Sequence, residues 1–444
     1  MSKFLFISTY ASSLDIAFRL LQENHQVKFW VKDEDEQDTG DGFVDKVPYK
    51  TEKLPNGKEK QTAIPDAYKK FIPWADYIVI DFVGFGTLAD DLRKQGKKVF
   101  GGSKYTDDLE NDRLFGMTEA EKYGLLVPPH FEFTSLDDGI NFVRSNTNAY
   151  ALKPNGQQEK NLCFVGKEKS GEDLIGYMEG YKKNNAKKLE KAEFTLQEVV
   201  KGVEVAVSAY CDGKHLMNTK NVNFEHKKLL AGGLGVNCGE TGTILMNRKG
   251  PQKLFQETLD KMENVLVKAN YHGWIDINTI CNEQGVWFLE FTSRWGYPQA
   301  LILDECMDSD WAVDIMNVSN GTMDDWKVKE DIHAGIVVYS EGFPYWQAYE
   351  KLGIDREVEG INSETIQHIK LCEVFRKDGK ILTTGSNGET VVATAIGKTA
   401  KEASDNAQEW AKKIEFPSKG WRVDIGAKTD EDILKLIKMG LLTH

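Results

Sequence analysis

The stretch GWIDINTICNEQGVWFLEFTSRWG, residues 273–296, alternates apolar and polar residues on both sides of Glu283-Gln284-Gly285. Alternation with a period of two marks strands buried on one face, and a glycine closing a short connection marks a hairpin. A three-residue loop with Gly285 in the left-handed conformation places Asp276 opposite Thr292 and Asn278 opposite Glu290. Ile275, Ile277, Trp287, Leu289 and Phe291 then share an apolar face, and Asp276, Asn278, Glu290 and Thr292 a polar one. Two carboxylates on neighbouring strands repel unless a cation lies between them. Oxygen ligands without histidine or cysteine suit a hard ion such as Mg²⁺, which also binds phosphates. Arg294, just past the strand, can grip a phosphate or carboxylate bidentately. A solvated sheet face is the other reading of this spacing.

Strands and helices alternate before this hairpin: Lys3–Ser8, Leu14–Gln22, Gln26–Val31, 77–83, 87–95 ended by Gly96, and Lys98–Phe100. That order predicts a doubly wound α/β domain with a parallel sheet. The acidic stretch 32–42 reads as a solvated loop. A single helix is expected over 109–123, and Pro128-Pro129 marks a boundary. From Tyr150 the chain is β-rich, with a hairpin signal at Asp212-Gly213. Helical spacing returns at 253–270, and a last α+β unit starts near His333 and includes a helix over 400–413. The expected domains are 1–108, 109–325 with a lid over about 128–195, and 326–444.

Composition removes several function classes. The 444 residues carry 56 Lys and Arg against 69 Asp and Glu, a net charge of −13, which disfavours a general nucleic-acid or anionic-membrane surface. The lysine-rich stretch 182–191 reads as a solvated face. No run approaches the roughly 20 apolar residues of a membrane span, and the N-terminus lacks a signal peptide's apolar core and cleavage site. Cys163, Cys211, Cys238, Cys281, Cys306 and Cys372 stand singly, as expected of reduced thiols in a cytoplasmic protein.

Two glycine loops could meet a nucleotide. VGFGTLA, Val83 to Ala89, has the GxGxxA form between a strand and a helix, with Asp107 and Asp108 downstream as candidate ribose acids. An NAD(P)-dependent oxidoreductase using Gly84 and Gly86 is therefore one alternative. LLAGGLGVNCGETG, Leu229 to Gly242, follows His226, Lys227 and Lys228 and can bring backbone N–H groups close to an anion; a flexible surface linker is its other reading. No P-loop and no GxSxG elbow occurs.

The order of LEFTSRWGYPQ (Leu289 to Gln299), EHKKLLAGGLGVNCGETG (Glu225 to Gly242), QEVVKGVEVAVSAYCDGK (Gln197 to Lys214), and RVDIG (Arg422 to Gly426) resembles the ATP-grasp ligases. Within them it is similar to the phosphoribosylamine–glycine ligases. The resemblance implies an ATP-grasp fold with a doubly wound N-terminal domain and a small C-terminal α+β domain. It also implies an ATP- and Mg²⁺- (or Mn²⁺-) dependent carboxylate–amine ligase of purine biosynthesis type, monomeric or homodimeric, working on small amino-acid and amine substrates. Lys153 and Arg113 would bind phosphates; Glu198, Val199, Val200 and Phe288 would hold the adenine, and Glu204 the ribose. Asp276, Glu290 and Thr292 would bind the metal. Arg294, Lys153 and His226 would serve the chemistry. Lys227, Asn237, Gly239, Glu240, Arg294, Arg422 and Asp424 would line the second substrate.

Departures from the family pattern cluster on the substrate side. Its GNGGREHA reads STYASSLDIA here (Ser8 to Ala17), without the phosphate-cradling turn, and its GPEAPL segment reads DFVGFGT (Asp81 to Thr87). The family's metal-strand asparagine is Thr292, the acids of the following turn are Tyr297 and Gln299, and its GGMG reads Gly239-Glu240-Thr241-Gly242. The lid PNGQQEKN, 154–161, offers only Gly156. An altered amine or amino-acid substrate is the expectation, with a catalytically silent ATP-binding protein as a further alternative.

Overall fold

The computed structural model describes residues 1–53, 59–154, 163–185, 193–345 and 351–443. Gly156 with most of its lid segment, and residues 186–191 of the lysine-rich stretch, lie outside them.

Strands Lys3–Ser8, Gln26–Val31, Tyr77–Ile80 and Lys98–Phe100 form a parallel sheet in which Lys3–Ser8 lies between Gln26–Val31 and Tyr77–Ile80. Helices Leu14–Gln22 and Gly86–Lys94 cross over between them, as the alternation predicts. Gly96 ends the second helix with φ +81°. The helix expected over 109–123 is two, Lys104–Asn111 and Arg113–Lys122. Asp112 leaves helical geometry, and its carboxylate accepts from the Phe115 amide, starting a new helix. The acidic stretch 32–42 is no solvated loop. Glu36, Gln37 and Thr39 are buried there because Glu36 reaches across to the C-terminal part, where the Ser386 amide (2.8 Å) and hydroxyl (2.7 Å) donate to it.

A second sheet, antiparallel, holds His130–Phe133, Tyr150–Pro154, Phe164–Val165 and Phe194–Glu198. The third runs Gly285–Thr292, His272–Asn282, Val203–Asp212, Thr219–Glu225, Gly242–Lys249, Ile332–Tyr339, Glu389–Gly397 and Ile369–Leu371 in spatial order. Gly242–Lys249 pairs with Ile332–Tyr339, so this sheet continues across the expected boundary at 325 and the C-terminal part completes it.

The decisive hairpin keeps the expected register at its functional end and loses it near the turn. Asp276 pairs with Thr292 and Asn278 with Glu290, but Thr279 then pairs with Phe288 and Asn282 with Gly285. The turn is Glu283-Gln284 alone, and Leu289 is the extra residue of a bulge. A bulge reverses which side chains face the core. Ile275, Ile277 and Phe291 are buried as expected, but Val286 and Phe288 take the inner positions beyond it, and Trp287 and Leu289 are only half-buried.

The apolar face of this sheet packs on helices Leu259–Lys268 and Thr429–Lys438. Nearer the parallel sheet, Tyr210, Trp274 and Trp326 pack edge-to-face, with centroids 4.7 Å (Tyr210–Trp274) and 5.4 Å (Trp274–Trp326) apart. Trp274 is fully buried and donates its indole N–H to Gln299 (3.1 Å). Trp274→Ala is expected to cost about 3–5 kcal/mol, read as a lowered urea midpoint with an unchanged m-value.

Candidate active site

Side chains directly opposite across strands share a face, so the register assembles the site. One row reads Thr292, Asp276, Ser208, Asn221, Asn247; the next reads Glu290, Asn278, Ala206, Asn223. Asp276 is 2% exposed and accepts from the Ser208 hydroxyl (2.7 Å) and the Asn223 amide (3.0 Å) through one oxygen. Gln299 reaches in from the following helix, donating to Ser208 (2.7 Å) and Asn221 (3.2 Å). Asp276 Oδ1, Asn278 Oδ1 and Asn223 Oδ1 are buried without a hydrogen-bond partner among the described residues. Burial, then the nearby charge of Glu225, pushes the Asp276 carboxyl up to about 7. Buried acceptor oxygens of this kind suit a cation or a hydrogen-bond donor.

Beside this face lies a cationic cluster. Arg113, at the start of its helix, approaches Glu290 at 3.6 Å. Lys227 pairs with Glu204 (2.8 Å) and Glu225 (3.1 Å). Burial works to raise the Glu290 carboxyl, but Lys227, Arg113 and Lys153 override it and hold it at about 2. Lys153 is itself lowered to about 8, by burial and then by Arg113. Lys227 is pushed up by Glu225, Glu204 and Glu290 against burial. Glu290 is thus ionised throughout the physiological range, among cations suited to phosphate oxygens.

Among the described residues no group of three or more His, Cys, Asp and Glu is placed to hold a metal ion. The donors available are instead one ionised carboxylate, an unpartnered carboxylate oxygen, amide oxygens and the Thr292 hydroxyl. That set fits Mg²⁺, a hard cation that takes oxygen ligands and would draw further ones from phosphate and water.

The remaining predicted residues fall in three places. At the junction of the two antiparallel sheets, the Glu198 and Val199 amides donate to the Pro129 (2.8 Å) and Ala149 (2.9 Å) carbonyls, and Val200 follows. Phe288 is buried against Phe291, with ring centroids 4.6 Å apart. The glycine-rich stretch forms a small antiparallel flap, Lys228–Leu230 with Leu234–Asn237, whose Asn237 and Gly239 are exposed while Glu240 is buried. Arg422 and Asp424 form an ion pair (2.5 Å) that anchors the flap: Asp424 accepts from the Gly232 amide (2.7 Å), and Arg422 donates to the Lys228 carbonyl (2.9 Å). His226, lowered to about 4 by burial and then Arg422, is neutral and accepts from the Gly426 amide (3.1 Å). Arg294 turns toward the parallel sheet, pairing with Glu110 (3.2 Å) and lying over the Phe82 ring (5.0 Å).

The Gly84 and Gly86 amides donate to Asp107 at 2.9 and 2.6 Å. Asp107 is the anion at that helix start, and a Cβ on Gly86 would overlap the Ser103 carbonyl. The loop is internally capped, which removes the feature that suggested a nicotinamide site. Sequence reasoning missed Ser208, Asn221 and Asn223, and took Gln299 only as a replacement for an acid of the following turn, not as a partner of Ser208 and Asn221. The first three alternate with period two on the strands beside the hairpin and were legible by the same argument; Gln299 required the tertiary fold.

No protein-family model matches the chain. Curated relatives include the phosphoribosylamine–glycine ligase of Clostridium acetobutylicum, 24% identical over 353 residues, 76% of this chain and 81% of that protein. That of Methanosarcina barkeri is 28% identical over 338 residues, 72% of this chain and 75% of that protein. Among solved structures, the Thermotoga maritima phosphoribosylamine–glycine ligase superposes with a TM-score of 0.69 at 19% identity, covering 95% of this chain and all (100%) of that one. The biotin carboxylase domain of Hydrogenobacter thermophilus 2-oxoglutarate carboxylase, in complex with MgADP, ADP and bicarbonate, gives 0.64 at 10% identity, covering 100% of this chain and 99% of that one. The shared architecture is the ATP-grasp fold.

Proposed function

We propose that this ATP-grasp chain is an ATP- and Mg²⁺-dependent ligase that joins a carboxylate to an amine through an acyl phosphate. The observation that carries the reading is the convergence of Lys153, Arg113 and Lys227 on the ionised Glu290, beside a face of buried unpartnered oxygens. The name shared by the relatives, phosphoribosylamine–glycine ligase, supports the same chemistry. Among the described residues no helix is long and apolar enough to cross a membrane.

In this reading Lys153 and Arg113 neutralise the triphosphate, and the backbone at Glu198 to Val200 and the ring of Phe288 border the adenine, with Glu204 at the ribose. Glu290, Asp276, Asn278 and Thr292 would hold Mg²⁺, which supplies charge neutralisation at the transferring phosphoryl group. A carboxylate oxygen attacks the γ-phosphorus and ADP leaves. The amine nitrogen then attacks the acyl carbon, phosphate leaves with the former carboxylate oxygen, and the nitrogen loses a proton to solvent or a neighbouring base. The flap carrying Asn237 and Gly239 keeps water from the acyl phosphate in the meantime, held by Arg422 and Asp424. Incubating the full chain with ATP, Mg²⁺ and paired pools of carboxylates and amines tests this. ADP and phosphate release that needs both pools is expected; ATP binding with no release in any pool would make the chain a silent ATP binder.

Lys153 gives the reading a pH signature. Its ammonium is charged below about 8 and neutral above. Its attraction for phosphate is therefore present at pH 7 and is lost as pH rises through 8. ATP–Mg²⁺ affinity, measured by calorimetry, is expected to weaken several-fold between about pH 7 and 9. Lys153→Arg, charged throughout, should flatten that profile.

A further inference from the structure

Away from Lys153 and Arg113 the titratable side chains that gather are acidic. Gly242 pairs with Ile336 and Tyr339 with Glu389, so Glu240 and Glu389 stand at the same end of the sheet, on either side of the strand Ile332–Tyr339. Glu373 joins them, its amide donating to the Glu389 carbonyl (3.0 Å). Glu36 closes on the same Ser386–Glu389 turn from the parallel-sheet domain. Glu36, Glu373 and Glu240 are 1%, 7% and 8% exposed. Neutral groups satisfy part of this charge: the Asn387 and Gly388 amides donate to Glu373 at 2.9 and 2.6 Å, and the Asn387 side chain donates to Glu389 at 2.7 Å. Lys227 lies near enough to Glu240 to oppose its rise but pairs with Glu204 and Glu225, Lys46 beside Glu36 donates to the Gln37 and Thr39 carbonyls, and Lys351 pairs with Asp35 (2.7 Å). Glu240 Oε1 is buried with no hydrogen-bond partner among the described residues. A buried carboxylate oxygen without a donor is costly and marks a place for a cationic or donating ligand.

The parallel sheet reinforces this. Lys3–Ser8 and Tyr77–Ile80 are adjacent strands whose connections leave in opposite directions, and such a switch point holds ligands at the strands' carboxyl ends. Asp81 sits there, 4% exposed, accepting from the hydroxyls of Ser8 (2.7 Å) and Ser13, its other oxygen buried and unpartnered among the described residues. Its carboxylate lies at the start of the helix Leu14–Gln22, where a phosphate would otherwise be welcome. A phosphorylated amine would meet that charge.

Resting on the ligase reading, we infer that the acceptor amine carries a second, cationic nitrogen, as in an aliphatic diamine or basic amino acid, and that Glu240 and Glu389 receive it. The first nitrogen must be neutral to attack, while the second keeps its proton and answers the buried acids. Burial holds Glu36 at about 7 and Glu389 at about 8, and keeps Glu240 and Glu373 well above the usual carboxylate range; a bound cation would lower all four.

The test measures ADP release by the full chain with ATP, Mg²⁺ and a carboxylate pool, varying the amine. 1,4-Diaminobutane should show a kcat/KM roughly tenfold or more above that of 4-aminobutan-1-ol, whose far end is neutral, and O-phosphoethanolamine should be the poorest. Calorimetry of 1,4-diaminobutane on the ATP–Mg²⁺-loaded chain should show affinity falling about tenfold or more in Glu240→Gln and in Glu389→Gln. Circular dichroism and thermal melts establish that both variants fold. Equal kcat/KM for the diamine and the amino alcohol overturns the inference, as does wild-type diamine affinity in both folded variants. Release with the phosphorylated amine alone upholds the ligase reading and overturns the inference. Charge-dependent diamine binding without any ADP release upholds the cation site and defeats the ligase reading.

Discussion

Glu290→Gln is expected to lower the rate of ADP formation by roughly 10²–10³-fold while the protein stays folded. The wild-type carboxylate is ionised because Lys227, Arg113 and Lys153 surround it. An amide in its place keeps the shape and removes the charge that would bind Mg²⁺, leaving three cations to meet the triphosphate alone. Metal-free ATP should therefore bind the variant as well as the wild type, or better, since a repelling carboxylate is gone. The benefit that Mg²⁺ adds to ATP affinity in the wild type should vanish. Calorimetry with and without Mg²⁺ separates the two effects. Loss of metal-free ATP binding as well would assign Glu290 to positioning Arg113 and Lys227 rather than to the cation.

Asp276→Asn should raise stability at alkaline pH and, like Glu290→Gln, lower activity. The native carboxyl sits near 7, by burial first and Glu225 second, against an ordinary value of 3.8. A group raised in the native state favours folding below its unfolded value, and that contribution is lost as pH rises from about 4 to 7. At pH 8 the native protein carries the full cost of a buried, half-satisfied carboxylate. The asparagine variant can still accept from Ser208 and Asn223 without that charge. We expect it to be more stable than wild type by about 1–3 kcal/mol at pH 8, with the difference gone near pH 4. Its Mg²⁺-dependent turnover should fall at least about tenfold, the usual exchange of stability for a functional site. Thermal melts across pH check the sign; a variant less stable than wild type at pH 8 would show that the Asp276 network is structural.

The contrast between these residues reflects what period-two reasoning can reach. Asp276, Asn278, Glu290 and Thr292 were legible as one face because the register near them is regular. The Leu289 bulge was not, since an extra residue in one strand leaves no mark in the alternation, and so Trp287 and Leu289 were misplaced on the core side. The parallel sheet followed from alternating elements. Glu36 was misread as solvent-facing because its partners at Ser386 lie 350 positions away. The glycines at 84 and 86 illustrate the same limit: the spacing suits a dinucleotide loop, but the anion that satisfies it is the chain's own Asp107. Lys153 and Arg113 required the resemblance, because no local pattern ties a lysine in one sheet and an arginine on a helix to a carboxylate in another.

Oxygen transfer from carboxylate to phosphate is the step on which the whole account rests. With a carboxylate–amine pair that supports ADP release, the carboxylate is supplied fully labelled with ¹⁸O and the released phosphate is analysed by mass spectrometry. Acyl-phosphate chemistry predicts that each phosphate carries one heavy oxygen. Unlabelled phosphate would mean that water, not the carboxylate, takes the phosphoryl group, and that the cationic cluster around Glu290 serves hydrolysis rather than ligation.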